Sequence, residues 1–242
     1  MSSPIDLRNP GRPIHIGVVL LNSVTEQLDI APVGFFSGIS ASFLKDVPPN
    51  MFPDELKAQA LDFVFHWVTE TGDAPAALTG NMNVVPTDSF TSCPQLDIVL
   101  LGATKINYHA SETEKAFLRK IHESCAAFLC VCGGFDPVLS AGLLEGKTAT
   151  APRFLLPSLR ESAPGTNWVE RRYVVDGKIW TTGVLLNGLD MVVAFAKSVW
   201  GGKDGDDGNG KGGLVDVMAS GGGWPQRDVE YRDDNAPPLF KV

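Results

Sequence analysis

Short apolar runs bounded by turn-forming residues alternate along this chain with longer segments whose apolar positions recur at helical spacing. Residues 14–21 (IHIGVVLL), 61–68 (LDFVFHWV), 98–102 (IVLLG) and 126–132 (AAFLCVC) are too short for core helices and read as strands. Their apolar character is nearly continuous, which predicts strands buried on both faces, as in a parallel sheet. Between the last two runs, residues 111–125 (SETEKAFLRKIHESC) set Ser111 and Glu114 at capping-box spacing, with Ala116, Phe117, Leu118 and Ile121 on one face. That segment predicts a crossover helix. Residues 173–175 and 179–182, joined at Asp176-Gly177, predict a hairpin, and residues 186–200 (LLNGLDMVVAFAKSVW when read from Leu185) predict an apolar, buried helix that covers the sheet. Strand and helix patterns in this alternation describe βαβ units and an α/β fold with a mostly parallel central sheet.

Three stretches interrupt the pattern. Residues 48–56 (PPNMFPDEL) are too proline-rich for a core element and predict a surface excursion. Residues 201–213 (GGKDGDDGNGKGG) have almost nothing to bury and predict a flexible loop. The remaining residues, 214–242, are expected to pack as a tail on a single domain whose core spans 13–200; 242 residues suit one α/β domain.

Charge narrows the functional classes. Twenty Lys and Arg against 28 Asp and Glu give a formal charge of −8, which repels phosphate backbones and anionic lipid surfaces. No segment approaches the roughly 18 uninterrupted apolar residues of a membrane span, and the first residues lack a secretory layout, so a cytoplasmic location is the expectation, without nucleic acid or membrane as partner. No glycine-rich phosphate loop follows the first strand, and the four cysteines lack paired CxxC or histidine partners at metal spacing. No metal and no organic cofactor is expected, and the partner is a small-molecule substrate.

Chemistry concentrates in residues 126–144 (AAFLCVCGGFDPVLSAGLL). A buried strand ends at Cys132, Gly133 and Gly134 follow, and Asp136-Pro137 stands where a helix begins, with Asp136 as its expected N-cap. A strand and a helix so close together require a sharp turn, which resembles a nucleophile elbow that pushes the Cys132 side chain out above the sheet edge. The amino end of the following helix is expected to lower the thiol pKa. Cys130, two residues earlier, is expected on the same strand face but deeper and inert. The same residues also fit a core cysteine at a strand end. Of the histidines His15, His66, His109 and His122, each reads as a surface or packing residue.

The strings VTEQLDIAPVGFF, VCGGFDPVLSAGLLEGKTATAP and WTTGVLLNGLDMVVAFA, taken together and in this order along the chain, resemble the DJ-1/PfpI superfamily and, within it, a fungal isocyanide-hydratase-like branch. The resemblance implies a flavodoxin-like three-layer sandwich, a homodimer, and Cys132 as the nucleophile with Asp29 as the carboxylate beside its sulfur, sharing one proton with it. It implies that Gly102, Ala103 and Thr104, together with Gly133, Gly134, Thr182 and Gly183, line the substrate and oxyanion site. Departures concern the chemistry: Gly102-Ala103-Thr104 replaces a PGG-type loop, Gly133 follows the cysteine where Thr is usual, and Pro152 stands where some members carry a histidine, with Arg153 beside it as a group to orient an anion. A cysteine-dependent hydratase or lyase is the implied activity. An enzyme for α-oxoaldehydes or a secondary-metabolite intermediate, and a non-enzymatic redox-sensing protein, are the alternatives.

Overall fold

The computed structural model describes residues 3–48, 50–201 and 212–232. The expected loop at 201–213 and the expected tail at 214–242 therefore fall partly outside the described residues.

Eleven strands are described: β1 (Ile14–Val19), β2 (Phe63–Thr69), β3 (Ala76–Leu78), β4 (Met82–Val84), β5 (Asp88–Ser89), β6 (Ile98–Leu101), β7 (Ala127–Cys130), β8 (Thr148–Ala149), β9 (Asn167–Trp168), β10 (Tyr173–Asp176) and β11 (Ile179–Thr182). Seven of them form the central sheet in the order β10-β11-β7-β6-β1-β2-β5. All neighbours are parallel except the β10-β11 hairpin, where Gly177 takes the left-handed φ of +61° that its turn requires. The predicted parallel sheet and hairpin are both present.

Helices cover both faces. Along β1, β6 and β7, residues of alternating parity feed two cores: Ile14, Ile16, Val18, Ile98, Leu100 and Leu129 pack on one side, and Val19, Val99, Leu101, Phe128 and Cys130 on the other. The first core is closed by α1 (Val33–Gly38), α2 (Ala41–Asp46), α7 (Asn187–Trp200) and α8 (Leu214–Gly221), the last two separated in sequence but adjacent in space. Between them, α3 (Asp54–Lys57) is a single exposed turn in the predicted surface excursion, where Met51 is 65% exposed. The second core is closed by α4 (Glu112–Ser124), α5 (Phe135–Ser140) and α6 (Leu156–Ser162). These three layers make the α/β sandwich. Burial of Met191, Val192, Val193, Phe195 and Ala196 shows that α7 covers the sheet, as its apolar pattern predicts.

The capping box of α4 is formed: Ser111 Oγ accepts from the Glu114 N–H (3.1 Å) and Glu114 Oε2 from the Ser111 N–H (2.7 Å). Glu114 does more than cap. It is fully buried and also accepts from the Tyr108 hydroxyl (2.7 Å) and from the Asn22 N–H (2.8 Å), which ties the exit of β1 to the start of α4.

This strand order fixes where chemistry can sit. The chain winds outward from β1 in both directions, to β2 on one side and to β6, β7 and β11 on the other, so a crevice opens at the carboxyl ends of β1 and β6. The segments leaving β1, β6, β7 and β11 converge there.

Candidate active site

Strand β7 ends at Cys130, and a single 3-10 turn (Cys132–Gly134) leads directly into α5. Cys132 has φ +53°, a left-handed conformation that costs a residue with a Cβ on the order of 1 kcal/mol or more. The surroundings hold it there. The Cys132 N–H donates to Thr182 Oγ1 (3.0 Å) on β11, and the Gly134 N–H donates to Val131 O (2.8 Å). A Cβ at Gly134 would stand 2.3 Å from Leu101 O, so only glycine lets the turn press against the end of β6.

Two local expectations are corrected by this turn. Helix α5 starts at Phe135 with Gly134 as its N-cap, so Asp136 lies in its first turn and caps nothing. Strand parity would place Cys132 with Cys130, yet Cys130 sits in the second core while Cys132 packs against the first. The left-handed residue breaks the alternation and swings the side chain to the other side of the sheet edge.

Asp29 arrives from β1 on a 3-10 turn (Gln27–Asp29) whose N-cap is Glu26, the Glu26 carboxylate accepting from the Leu28 N–H (3.1 Å). Asp29 is fully buried, Oδ2 accepts from the Ala103 N–H (2.8 Å), and Oδ1 is buried with no hydrogen-bond partner among the described residues. Burial raises its pKa from 3.8 to about 7, against the lowering effect of the Ala103 amide, and the charge of Glu26 adds to the rise. A Cβ at Gly102 would stand 2.8 Å from the Asp29 Cβ, so the glycine at the end of β6 makes room for the carboxylate.

The Cys132 thiol is half-buried, and its pKa is pushed up to about 12, first by burial and then by the charge of Asp29. The backbone amides of Gly133 and Leu185 act in the opposite sense. The expected lowering of this pKa by a helix amino end is overturned. A six-residue helix reached through a 3-10 turn offers a weak dipole, and desolvation outweighs it. Sulfur and carboxylate are thus brought together as electrostatic partners, but Oδ1 does not hydrogen-bond to the sulfur.

The other expected site residues lie on the turns around this pair. The Ala103 amide is taken by Asp29, and its carbonyl accepts from the Glu26 N–H (3.1 Å). Thr182 holds the Cys132 amide, and the Gly183 N–H donates to Arg172 O (2.9 Å). Gly133 lies against Ala103, where a Cβ would come within 3.0 Å of the Ala103 Cβ, and Thr104 is half-buried on the same loop. Of the amides expected to face a substrate, those of Ala103 and Gly183 are engaged in the protein. The Leu185 amide, which faces the sulfur, is a backbone group that no side-chain motif reveals. Arg153, read as an anion-orienting group, pairs with Glu170 (2.8 Å) and lies 4.9 Å from the Tyr231 ring centroid. A cleft of about 490 Å³ lined by Leu21, Ser23, Thr71, Ala77, Lys105 and Tyr108 opens at the carboxyl ends of β1 and β2; neither Cys132 nor Asp29 lines it.

Comparison with known proteins gives this arrangement its context. The DJ-1/PfpI family model matches residues 54–198, a span that includes Cys132 but not Asp29. The isonitrile hydratase of Pseudomonas putida is 31% identical over 132 residues, which are 52% of this chain and 56% of that protein, so the match spans little more than half of the relative. Among solved structures, DJ-1 of Schizosaccharomyces pombe (TM-score 0.61, 13% identity) and DJ-1beta of Drosophila melanogaster (TM-score 0.62, 14% identity) each cover 88% of this chain and 100% of their own. A THiJ/PfpI family protein of Pseudomonas syringae (TM-score 0.60, 15% identity) covers 95% of this chain and 78% of its own. At these identities the structures share the fold, and the family model, with its matched span of more than half the sequence, shows that the chain belongs to the DJ-1/PfpI family.

Proposed function

We propose that this protein is a cysteine-dependent hydratase acting on a small electrophile, with Cys132 as nucleophile and Asp29 as the group that takes and returns its proton, and that an isocyanide is the substrate. The observation that carries this reading is the orphaned Oδ1 of a buried Asp29 whose pKa of about 7 leaves it close to half ionised at neutrality, beside a strained thiol. A carboxylate poised at the operating pH, with one oxygen fixed by the Ala103 amide and the other uncommitted, suits general acid–base work.

Burial and the charge of Asp29 favour the protonated thiol at rest. As the sulfur attacks the terminal isocyanide carbon, Asp29 accepts the thiol proton; a C–S bond forms and the carbon bears the electron pair. Asp29 then delivers that proton to the carbon, giving a thioimidate. Water adds to the thioimidate carbon and loses one proton to Asp29, which passes it to the substrate nitrogen; the C–S bond then breaks as the hydroxyl proton of the tetrahedral intermediate passes, by way of Asp29, to the leaving sulfur. The products are an N-substituted formamide and the regenerated thiol. Water and isocyanide sum to the formamide, and no cofactor enters the balance. The Gly133 and Leu185 amides stabilise negative charge on sulfur as it develops. The similarity to an isonitrile hydratase supports an isocyanide over other electrophiles. A redox-sensing role draws less support, because oxidation follows thiolate character and this thiol is held protonated.

The test is direct. Incubation with a simple alkyl or aryl isocyanide should yield the N-formamide by mass spectrometry, and Cys132→Ala should lower turnover by about 10³-fold or more. Full turnover in Cys132→Ala contradicts covalent catalysis; conversion of methylglyoxal but not of isocyanides would move the assignment to α-oxoaldehydes.

A further inference from the structure

The segment after α8 returns to the candidate site. Arg227 grips the buried Asp190 of α7 through Nη2 (2.6 Å), and the Arg172 N–H donates to Val229 O (2.8 Å) while Arg172 Nε donates to Asp228 O (2.8 Å). Glu230 pairs with Arg171 (2.8 Å). These contacts deliver Tyr231, itself at φ +56°, with its ring between two guanidinium groups, Arg172 at 4.5 Å and Arg153 at 4.9 Å.

Its hydroxyl then reaches the loop after β11. Tyr231 Oη donates to Asn187 Oδ1 (2.8 Å), and the same Oδ1 accepts from the Val184 N–H (3.0 Å). Asn187 is almost fully buried at the start of α7. Gly183 makes the approach possible, because a Cβ there would stand 2.3 Å from Tyr231 Oη and 2.8 Å from Asn187 Oδ1. The loop that Val184 and Asn187 close begins directly after Thr182, whose Oγ1 accepts from the Cys132 N–H (3.0 Å).

We propose that Tyr231 is a positioning residue for Cys132: through Asn187 it fixes the 183–187 loop, and so the adjoining Thr182, whose Oγ1 holds the Cys132 amide in its left-handed turn. The inference rests on the reading of Cys132 as the nucleophile. It gives the polar C-terminal segment a part in the chemistry although it touches no reacting atom, and it gives Gly183 a physical role as the gap through which the hydroxyl enters. Tyr231→Phe keeps the ring against both arginines and removes the hydroxyl that donates to Asn187.

The experiment is the rate of iodoacetamide alkylation against pH, resolved for each cysteine by peptide mass, in the full chain and in Tyr231→Phe. We expect the Cys132 rate at neutral pH to fall about three- to tenfold, the range for one hydrogen bond, with the midpoint that Asp29 sets kept near 7 and the rate at Cys93 unchanged. A Cys132 profile identical to that of the parent overturns the inference. So does an equal rise at Cys93, Cys125 and Cys130, which marks a segment that serves stability alone. If the parent Cys132 reacts no faster than Cys93, it is the nucleophile reading that fails, and the two failures are thereby distinguished.

Discussion

Cys132 and Asp29 are each held in a state that the isolated residue avoids, one by backbone strain and the other by burial without a partner for Oδ1. Such arrangements cluster where chemistry uses them, and they have measurable costs. Because the folded-state pKa of Asp29 is raised from 3.8 to about 7, its contribution to stability is fully present below about pH 4 and is lost as the pH rises through 7. Asp29→Asn removes the ionisation, so its melting temperature should exceed that of the parent at about pH 8 and approach it near about pH 5; a lower melting temperature at pH 8 would show that the carboxylate stabilises the fold. The glycines of the turn differ in the same physical way. Gly134→Ala forces a Cβ against the Leu101 carbonyl, a backbone atom that cannot yield, and should cost roughly 2 kcal/mol or more by chemical denaturation. Gly133→Ala meets only the Ala103 methyl at 3.0 Å and should cost less than half as much. The cysteine-glycine pair was legible as a turn because its residue types are local signals. The orphaned Oδ1, the engaged Ala103 amide and the direction of the thiol pKa were not, since each depends on what burial brings from another strand.

At the scale of elements, the buried strands and the two long helices follow from periodicity, and the capping box of α4 is formed by the two residues whose spacing announces it. The β3-β4 pair and β5 escape that reading because two- or three-residue strands have no period to detect. On the β1-β2-β5 side of the sheet, the histidines read as packing residues turn out to be linked. His66 Nδ1 meets Asp88 Oδ2 (2.8 Å), and His66 Nε2 meets His15 Nδ1 (2.8 Å), from strands that pair in the sheet. A carboxylate only accepts, so the neutral chain runs His15 N–H to His66 and His66 N–H to Asp88. Burial and the neighbouring His66 lower the His15 pKa, so the folded state resists its protonation and stability is lost as the pH falls below about 6.5. The Asp88 pKa is lowered too, through its hydrogen bonds to His66 and Thr87 against burial, and that contribution is lost only at more acid pH. His15→Gln should therefore flatten the fall in melting temperature from about pH 7 to about pH 5. An undiminished fall would place the acid sensitivity elsewhere.

For the whole molecule, the strand order places the segments leaving β1, β6, β7 and β11 in one crevice, and each contributes one part: the carboxylate, the amide that orients it, the thiol, and the loop that faces the sulfur. The Cys132 turn was legible in its residue types, Asp29 and the Ala103 and Thr182 segments only through the family resemblance, and the Leu185 amide not at all, because a backbone group leaves no side-chain signature. The proposed cooperation also separates two roles for one charge. If Asp29 merely repels a thiolate, deleting its charge makes Cys132 more acidic; if it accepts the thiol proton, deleting it leaves a buried thiol with no base. The pH dependence of Cys132 alkylation in the parent protein and in Asp29→Asn decides between them. The account predicts a parent midpoint near 7, set by Asp29, and a fall of about tenfold or more at neutral pH in Asp29→Asn with the midpoint displaced to alkaline pH. A faster reaction in Asp29→Asn, with its midpoint lowered, would contradict it.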